Sequence, residues 1–276
     1  MAETQHTELK TYLSQLVLPE QNSRKGDNGK LLIIGGSELF HAASAWSLEV
    51  ASRIVDMVFY SSIPENNALI LESRKIFWDG IVIPRDQVDS YIDESDAILI
   101  GPGMDRSIET QTYVNTIVSE HANKRWIIDA GALQTIDHAL LFNSLSDILI
   151  TPHAGEFERV FGVPPSKETV IEMAKTHSNL VILQKGPTDV IAYQDQIEEV
   201  VGGNAGMTKG GTGDVLAGLV AGLATTSPLF SSAVVGSVVN KTAGESLEKD
   251  QSVFFNATEL AHEATRVLAE LTRNEA

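Results

Sequence analysis

The sequence predicts an α/β fold in which a mainly parallel sheet is covered by helices on both faces. Short runs of Val, Ile and Leu alternate with longer segments of helical periodicity, which is typical of repeated β–α units. Several runs stop at a small or polar cluster, as strands do where the chain turns toward a helix. The length of 276 residues suits one large domain of this class or two small ones.

Eight short apolar runs are predicted to be the strands, because each is rich in Val, Ile or Leu and is bounded by turn-forming residues. The last two lie close together in sequence and predict a hairpin or a pair of edge strands. In chain order the runs span residues 30–34, 57–60, 97–100, 125–128, 148–150, 180–183, 190–193 and 197–201.

Five segments carry apolar residues at helical spacing and are predicted to be helices. In one of them Ile108, Val114, Ile117 and Val118 fall on one face and predict a buried stripe. The last three segments follow one another without a strand, so the C-terminal part of the chain is predicted to be nearly all helical. The predicted helices span residues 42–55, 107–121, 215–224, 231–247 and 257–271.

The chain carries 37 acidic and 20 basic residues, a formal charge of −17, and no cysteine. The lack of cysteine excludes disulfides, thiolate catalysis and Cys-ligated metal. The negative charge argues against nucleic acid and anionic membranes as partners, because both bind extended basic surfaces. At face value the charge also argues against a small anionic ligand. No residues are identified as dedicated metal ligands.

Residues 1–10 are polar and acidic, the reverse of a signal peptide, and the apolar runs are far too short to span a bilayer. We therefore expect a cytoplasmic protein. The polar clusters that end the strands are expected to meet in one cleft, since ligands of open α/β sheets bind beyond the carboxyl ends of the strands. These clusters are residues 35–37, 101–103, 129–131, 151–153 and 185–186.

The motif with the strongest chemical signal is GNAGMTKGGTGDVLAG, residues 203–218. Glycines at 210, 211 and 213 permit unusual backbone conformations and close approach, and a helical pattern starts at about Asp214. The N–H groups and positive dipole end of that helix predict a phosphate held by Thr212, Gly213 and neighbouring amides. The alternative is an ordinary helix entry with Asp214 as N-cap.

Asp214 is the candidate general base. The helix N-terminus is predicted to keep its carboxylate ionised at neutral pH, ready to accept a proton from a hydroxyl that attacks a phosphoryl group. Other phosphate-binding motifs do not fit. No segment matches a P-loop, and the glycines lie too late in the chain, without a following acidic residue, for a dinucleotide-binding fingerprint.

Three other polar residues in the clusters each have two interpretations, and a fourth has one. His153 could donate a hydrogen bond to a ligand or be structural, and Glu156 could simply be an acid in the first turn of a helix. Asp129 could help to hold Mg²⁺ through water or could cap the following helix. Lys185 could meet a phosphate, or residues 185–189 could be no more than a hairpin loop.

Together these motifs resemble the ADP/ATP-dependent NAD(P)H-hydrate dehydratases of the ribokinase-like superfamily. KGDNGKLLIIGGS, GPGM, DAGAL, TPHAGE and the glycine-rich motif follow the family's order and approximate spacing. The resemblance implies a ribokinase-like three-layer α/β/α fold over residues 25–276, preceded by an N-terminal helical lead-in over residues 1–24. It also implies a stand-alone dehydratase, without the epimerase domain that many family members carry.

The resemblance implies that hydrated NADH or NADPH is dehydrated at the expense of ADP or ATP, with Mg²⁺, releasing phosphate and AMP or ADP. Its partners would be the hydrated dinucleotide and an adenine nucleotide, in a possible homotetramer. Two alternatives remain open at this point. One is a small-molecule kinase for a vitamin precursor or sugar on the same architecture, and the other is a non-catalytic nucleotide-sensing or scaffold protein.

The resemblance also implies roles for individual residues. Asp214 matches the catalytic aspartate, which also contacts the substrate. The other substrate-binding positions are Ala43, Gly103 and His153. The nucleotide-binding positions are Lys185, Gly186, Pro187, Thr188, Asp189, Gly210, Gly211, Thr212 and Gly213.

The chain departs from the family pattern at several positions. Asp105 stands where a second glycine is usual, and Ala154 stands where proline is usual. The early motif is Phe40-His41-Ala42-Ala43, which leaves the substrate preference open. Asp189 stands where threonine is frequent and is expected to add a negative charge near the nucleotide.

Overall fold

The computed structural model describes residues 9–73, 75 and 79–273, and the strands among them form one sheet. Its order is β3-β2-β1-β4-β5-β6-β7-β8-β9. Pairing is parallel from β3 through β7, while β8 pairs antiparallel with both β7 and β9. The strands are β1 (Lys30–Ile34), β2 (Met57–Ser61), β3 (Ile81–Val82), β4 (Ala97–Ile100), β5 (Trp126–Ile128), β6 (Ile148–Ile150), β7 (Leu180–Gln184), β8 (Thr188–Tyr193) and β9 (Gln196–Val201).

Helices cover both faces of this sheet. We number them α1 (His41–Ala51), α2 (Pro64–Ser73), α3 (Val88–Glu94), α4 (Ile108–Glu120), α5 (Ala130–Thr135), α6 (His138–Phe142), α7 (Ala154–Phe161), α8 (Lys167–Thr176), α9 (Thr212–Leu223), α10 (Leu229–Gln251) and α11 (Ala257–Arg273).

The two-residue period of the strands divides the core between the faces. In β1, Leu32 and Ile34 pack against α3 to α8 on one face. Leu31 and Ile33 point the other way, toward α1, α9 and α10. Helix α11 packs outside α9 and α10, and its apolar side chains form a third apolar cluster with theirs. The three-layer α/β/α architecture with a mainly parallel sheet is therefore confirmed.

All eight predicted strands are present, including the hairpin of β8 and β9, with bounds that differ by at most two residues. The two-residue strand β3, helices α2 and α3, and the four helices between β5 and β7 are not identified by the sequence pattern. Within α4 the predicted buried stripe holds for Val114, Ile117 and Val118. It is wrong for Ile108, which is 82% exposed because it is the first residue of the helix.

The segment before the sheet is described only from residue 9 onward. Residues 9–13 are helical, and the side chains of Leu13 and Leu16 are buried among apolar side chains of α9, α10 and α11. The first eight residues of the predicted lead-in lie outside the described residues, and the division at residue 25 stays a prediction. None of the described helices has the length and apolar character needed to cross a lipid bilayer.

Candidate functional site

The polar clusters at the carboxyl ends of the strands meet along one edge of the sheet, as the sequence predicts. Backbone hydrogen bonds tie the loop after each strand to the loop beside it. This edge therefore forms a continuous floor on which side chains distant in sequence become neighbours. The N–H···O bonds run from Gly36 to Pro102 (2.7 Å), Gly101 to Ile34 (3.0 Å), Gly131 to Gly101 (3.2 Å) and Lys185 to Pro152 (2.8 Å).

Gly103 sits in a turn that only glycine fits easily. Its φ of +72° lies in the left-handed region, and a Cβ there would lie 2.4 Å from the Phe40 carbonyl oxygen and 2.9 Å from the Ala43 Cβ. The turn thus brings together Gly103 and Ala43, two of the predicted substrate-binding residues, at the start of α1. Their contact with a ligand stays a prediction.

A charged cluster occupies the middle of the floor. The Lys185 ammonium lies 2.8 Å from Oδ1 of Asp129, which also accepts a 2.8 Å hydrogen bond from the Thr151 hydroxyl. Asp129 is buried, and the Lys185 side chain is 18% exposed. A Cβ on Gly213 would lie only 3.7 Å from the Lys185 nitrogen, so the lysine reaches the first turn of α9. Asp129 is the N-cap residue of α5, but its side chain forms no capping hydrogen bond.

Asp214 lies in the first turn of α9, two residues after its first residue. The N-cap is Gly211, so the interpretation of Asp214 as N-cap is wrong. Burial raises the pKa of Asp214 to about 7, and the nearby negative charge of Asp129 adds to the rise. The prediction that the helix terminus keeps it ionised is therefore also wrong, because burial and neighbouring charge outweigh the helix N-terminus and the Lys185 ammonium.

Lys185 is the cation of this cluster. Burial works to lower its pKa, but the carboxylates of Asp129, Glu156 and Asp214 together raise it. One ammonium is thus shared among three acidic groups. The floor of the site consequently does not carry a positive field of its own, and an anionic ligand needs further positive charge there.

His153 is the N-cap of α7. Its Nδ1 accepts hydrogen bonds from the N–H groups of Gly155 (3.1 Å) and Glu156 (3.2 Å), and the Glu156 carboxylate accepts from the His153 N–H at 2.9 Å. This reciprocal pair is a capping box and supports the structural interpretation. Because Nδ1 accepts, Nε2 carries the proton of a neutral ring. The side chain is 57% exposed, and its Nε2 lies 3.4 Å from Oε1 of the Glu156 carboxylate.

A cavity of about 630 Å³ opens beside this cluster. It contains six of the nine predicted nucleotide-binding residues; Thr188, Gly210 and Gly211 lie outside its lining. Its lining residues are His153, Lys185, Gly186, Pro187, Asp189, Gly202, Gly203, Asn204, Ala205, Met207, Thr208, Thr212, Gly213, Leu216, Asn240 and Lys241.

The Thr212 hydroxyl is engaged within the glycine-rich loop. It lies 2.6 Å from the Met207 carbonyl oxygen and 2.9 Å from the Lys209 carbonyl oxygen, to which it donates. The Thr212 and Val215 N–H groups also donate, to the carbonyl oxygens of Lys209 (3.4 Å) and Gly211 (3.0 Å). The backbone N–H groups of Gly213 and Asp214 are therefore the donors of this turn that could bind an anion.

Asp189 does not leave an extra negative charge near the nucleotide cavity, contrary to the expectation from sequence. It is 5% exposed, and the Lys241 ammonium lies 3.4 Å from its Oδ1. Its carboxylate also accepts hydrogen bonds from the Gly186 N–H (2.8 Å) and the Ser237 hydroxyl (2.7 Å). The charge is thus neutralised inside the protein.

Lys241 is the residue of this region that sequence reasoning misses. It is buried, and its ammonium donates to the carbonyl oxygens of Gly186 (3.0 Å), Pro187 (3.1 Å) and Gly202 (3.3 Å). The signal available in the sequence is a lone lysine among the small and apolar residues of SVVNKTAG, residues 237–244. A lysine at a buried helical position requires an acceptor, and Asp189 provides it.

The glycine-rich turn contains a matched pair of test positions. Gly211 has φ +98°, and a Cβ there would lie 2.5 Å from the Trp46 ring and 2.6 Å from the Ala257 Cβ. Gly210 has no neighbour within 4 Å of a Cβ and an ordinary φ. We expect Gly211→Ala to lower the free energy of unfolding by about 2 kcal/mol or more. Gly210→Ala should stay within about 0.5 kcal/mol of the parent.

Urea unfolding of both glycine variants measures this difference. A Gly210→Ala protein as unstable as Gly211→Ala would contradict the backbone explanation. If Gly210→Ala keeps its stability but binds nucleotide more weakly, Gly210 is present for close approach of the ligand.

Comparisons with known proteins agree with the motifs. A family model for NAD(P)H-hydrate dehydratase matches residues 31–266. The ADP-dependent (S)-NAD(P)H-hydrate dehydratase of Cenarchaeum symbiosum is 32% identical over 272 residues, covering 92% of this chain and 93% of the relative. The bifunctional NAD(P)H-hydrate repair enzyme Nnr of Methanocaldococcus jannaschii is 32% identical over 254 residues, covering 90% of this chain and 50% of the relative. The chain thus spans about half the length of that bifunctional protein.

Among solved structures, an ADP/ATP-dependent NAD(P)H-hydrate dehydratase from Bacillus subtilis, co-crystallised with ATP/Mg²⁺, superposes with a TM-score of 0.81. It is 25% identical, and the match covers 95% of this chain and 96% of that one. Fold and sequence therefore lead to the same assignment, and the resemblance inferred from the five motifs is confirmed. The chain belongs to the NAD(P)H-hydrate dehydratase family.

Proposed function

We propose that this protein is a hydro-lyase that restores NADH or NADPH from the hydrated (S)-forms at the expense of ADP or ATP. The observation that carries the proposal is the placement of Asp214 beside Lys185 at the N-terminus of α9, with the pKa of Asp214 raised to about 7. A base with a pKa near the working pH combines a useful ionised fraction with a useful affinity for the proton.

In this proposal Asp214 accepts the proton of the hydroxyl on the hydrated nicotinamide ring. The hydroxyl oxygen attacks the terminal phosphoryl group of the nucleotide, and AMP or ADP leaves. The C–O bond of the resulting phosphate ester then breaks, and inorganic phosphate leaves with its electron pair. The adjacent ring carbon loses a proton, so the ring double bond forms again. The first-turn amides of α9 and the Lys185 ammonium stabilise the negative charge during phosphoryl transfer.

The donor set fits a magnesium ion that arrives with the nucleotide. Among the described residues no group of three acidic or histidine side chains could hold a metal ion by itself. Mg²⁺ commonly binds substrate phosphates, water and one or two carboxylates, which Asp129, through water, and Asp214 could supply. When bound, Mg²⁺ would neutralise phosphate charge that the shared Lys185 ammonium cannot balance.

The activity is tested by incubating the protein with hydrated NADH, Mg²⁺ and either ADP or ATP, and following recovery of the NADH absorbance. We expect recovery with at least one nucleotide, with release of phosphate and loss of turnover on adding EDTA. No recovery with either nucleotide would refute the proposal. A stable phosphorylated product without phosphate release would instead indicate the kinase alternative.

Two further properties stay predictions. The family resemblance implies a homotetramer, and the composition implies a cytoplasmic protein that binds neither nucleic acid nor membranes. Light scattering of the purified chain measures the first of these directly.

A further inference from the structure

A second cavity, of about 210 Å³, lies at the carboxyl ends of β1, β2 and β4. It has no part in the chemistry assigned to Asp214. Its lining includes Gly36, Ser61, Arg85, Asp105 and Tyr113. At this volume it is too small for a dinucleotide and suits one portion of a larger ligand.

The cavity contains buried polar atoms that lack partners. Ser61 has no exposed surface, and its hydroxyl has no hydrogen-bond partner among the described residues. The buried Tyr113 hydroxyl also has none within that part of the chain. Leaving a buried polar group unpaired is energetically unfavourable. Two such groups in one cavity indicate that a ligand with hydrogen-bonding groups completes them.

Arg85 and Asp105 supply the charges. The Arg85 guanidinium stacks 3.7 Å from the centre of the Tyr113 ring, which fixes its position. Asp105 Oδ1 accepts hydrogen bonds from the Thr110 hydroxyl (2.5 Å) and the Ser107 N–H (3.0 Å). Those bonds hold the pKa of Asp105 below its usual range, so it is a carboxylate at neutral pH. With Glu38 also in the lining, the acidic groups outnumber Arg85.

A chain of contacts connects this cavity to Asp214. The Ser47 hydroxyl donates a 2.8 Å hydrogen bond to the Asp214 carbonyl oxygen. Ala43 lies one turn earlier on α1, about 6 Å along the helix axis. A Cβ on Gly103 would lie 2.9 Å from the Ala43 Cβ and 3.2 Å from the Gly36 Cα, so Gly103 is next to both Ala43 and the cavity wall. A molecule that reacts at Asp214 and passes Ala43 and Gly103 therefore arrives at this cavity.

We propose, on the basis of the proposed function, that this cavity binds the adenosine end of the hydrated dinucleotide and favours hydrated NADH over hydrated NADPH. The free oxygen of the Asp105 carboxylate would accept a hydrogen bond from a ribose hydroxyl. The same carboxylate would repel the phosphate that NADPH carries on that ribose. The Ser61 and Tyr113 hydroxyls would gain the partners that they lack in the free protein.

The test compares KM for hydrated NADH, hydrated NADPH and hydrated reduced nicotinamide mononucleotide, which has no adenosine. In the parent protein we expect the lowest KM with hydrated NADH. Asp105→Asn should reduce the preference for NADH over NADPH by about tenfold or more, because like charges placed together cost several kcal/mol. The KM for the mononucleotide and for ADP should not change.

Two further variants keep the result interpretable. Ser61→Ala should raise the KM of both dinucleotides without lowering the melting temperature, since an unpaired hydroxyl does not stabilise the free protein. Asp86→Asn is the matched control, because this exposed neighbour of Arg85 does not line the cavity, and it should change none of these constants.

Equal changes in KM for the mononucleotide and the dinucleotides, or an unchanged NADH preference in Asp105→Asn, would overturn the proposal. If the parent protein dehydrates the mononucleotide and both dinucleotides with equal KM, the proposed function stands and the subsite is refuted. If it dehydrates none of the three, the proposed function fails and the subsite fails with it.

Discussion

Replacing Asp214 with Asn is expected to lower kcat for dehydration by about 10²–10⁴-fold, the usual contribution of a positioned general base. Asn keeps the shape of the side chain but cannot accept a proton at neutral pH. The KM for the nucleotide should change much less than kcat, because the first-turn amides of α9 remain. Steady-state assays with hydrated NADH and ADP measure both constants.

The pH dependence gives an independent check on this role. Because the pKa of Asp214 is about 7, activity of the parent protein should rise with pH through about 7, as the carboxyl group loses its proton. This acidic limb should be missing from the residual activity of Asp214→Asn. An acidic limb that persists in the variant would assign the titration to another group.

The same carboxylate should weaken the fold above neutral pH. The pKa of Asp214 is higher in the folded protein than the ordinary aspartate value of 3.8, so the folded state binds more protons between about pH 4 and pH 7. Stability contributed by this group is therefore present at low pH and lost as the pH rises through 7. Asp214→Asn should thus raise the melting temperature at pH 8 while it abolishes most activity.

A matched control for Asp214→Asn is Glu109→Gln. Glu109 is an exposed acid in the first turn of α4 and does not line the cavities described above. This variant should retain kcat and change stability by less than about 0.5 kcal/mol. A loss of activity like that of Asp214→Asn would indicate a general effect of acidic first-turn residues.

Local sequence was sufficient to predict most of the sheet and the edge where the site forms. The strands are short apolar runs bounded by turn residues, a pattern that depends on neighbours along the chain. Strand β3 is only Ile81 and Val82, too short to give a periodic signal. Its pairing with Phe59 and Tyr60 of β2 is set by tertiary structure.

The electrostatics of the site required the folded structure. From the sequence, Asp214 is an acid near a helix start, which indicates a stabilised carboxylate. In the fold, burial removes solvent from Asp214, and Asp129 is brought close to it from the residue after β5, 85 positions earlier, so the pKa rises instead. The sign of the shift depends on contacts between distant segments, which a single sequence does not specify.

The ion pair of Asp189 and Lys241 could not be predicted from the sequence for the same reason. Each residue alone is an ordinary charged residue in the sequence. Asp189 is on β8 and Lys241 is on α10. Neither has an oppositely charged ion-pair partner nearby in the sequence, so no local pattern indicates that it is buried. Only the packing of α10 against the β7–β8 turn makes the two charges neighbours, and this turn is one wall of the nucleotide cavity.

Replacing Lys241 with Met should therefore lower the free energy of unfolding by about 3–5 kcal/mol, the usual cost of leaving a buried charge without its partner. Three carbonyl oxygens would also lose their donor. Because two of these belong to the turn at Gly186 and Pro187, the KM for the nucleotide should rise as well. Lys249→Met, at an exposed position near the end of α10, is the control and should change stability by less than about 0.5 kcal/mol.

The double variant Asp189→Asn with Lys241→Met distinguishes charge from packing. If the unpaired Asp189 carboxylate causes the loss, removing its charge should recover a large part of the stability, since buried ion pairs can often be replaced by neutral side chains at little cost. Urea unfolding of the parent, both single variants and the double variant gives the coupling energy between the two positions. A double variant no more stable than Lys241→Met would show that the lysine stabilises the turn through its carbonyl bonds instead. In that case the nucleotide KM should stay raised in both proteins, because the turn at Gly186 and Pro187 would remain without its donor.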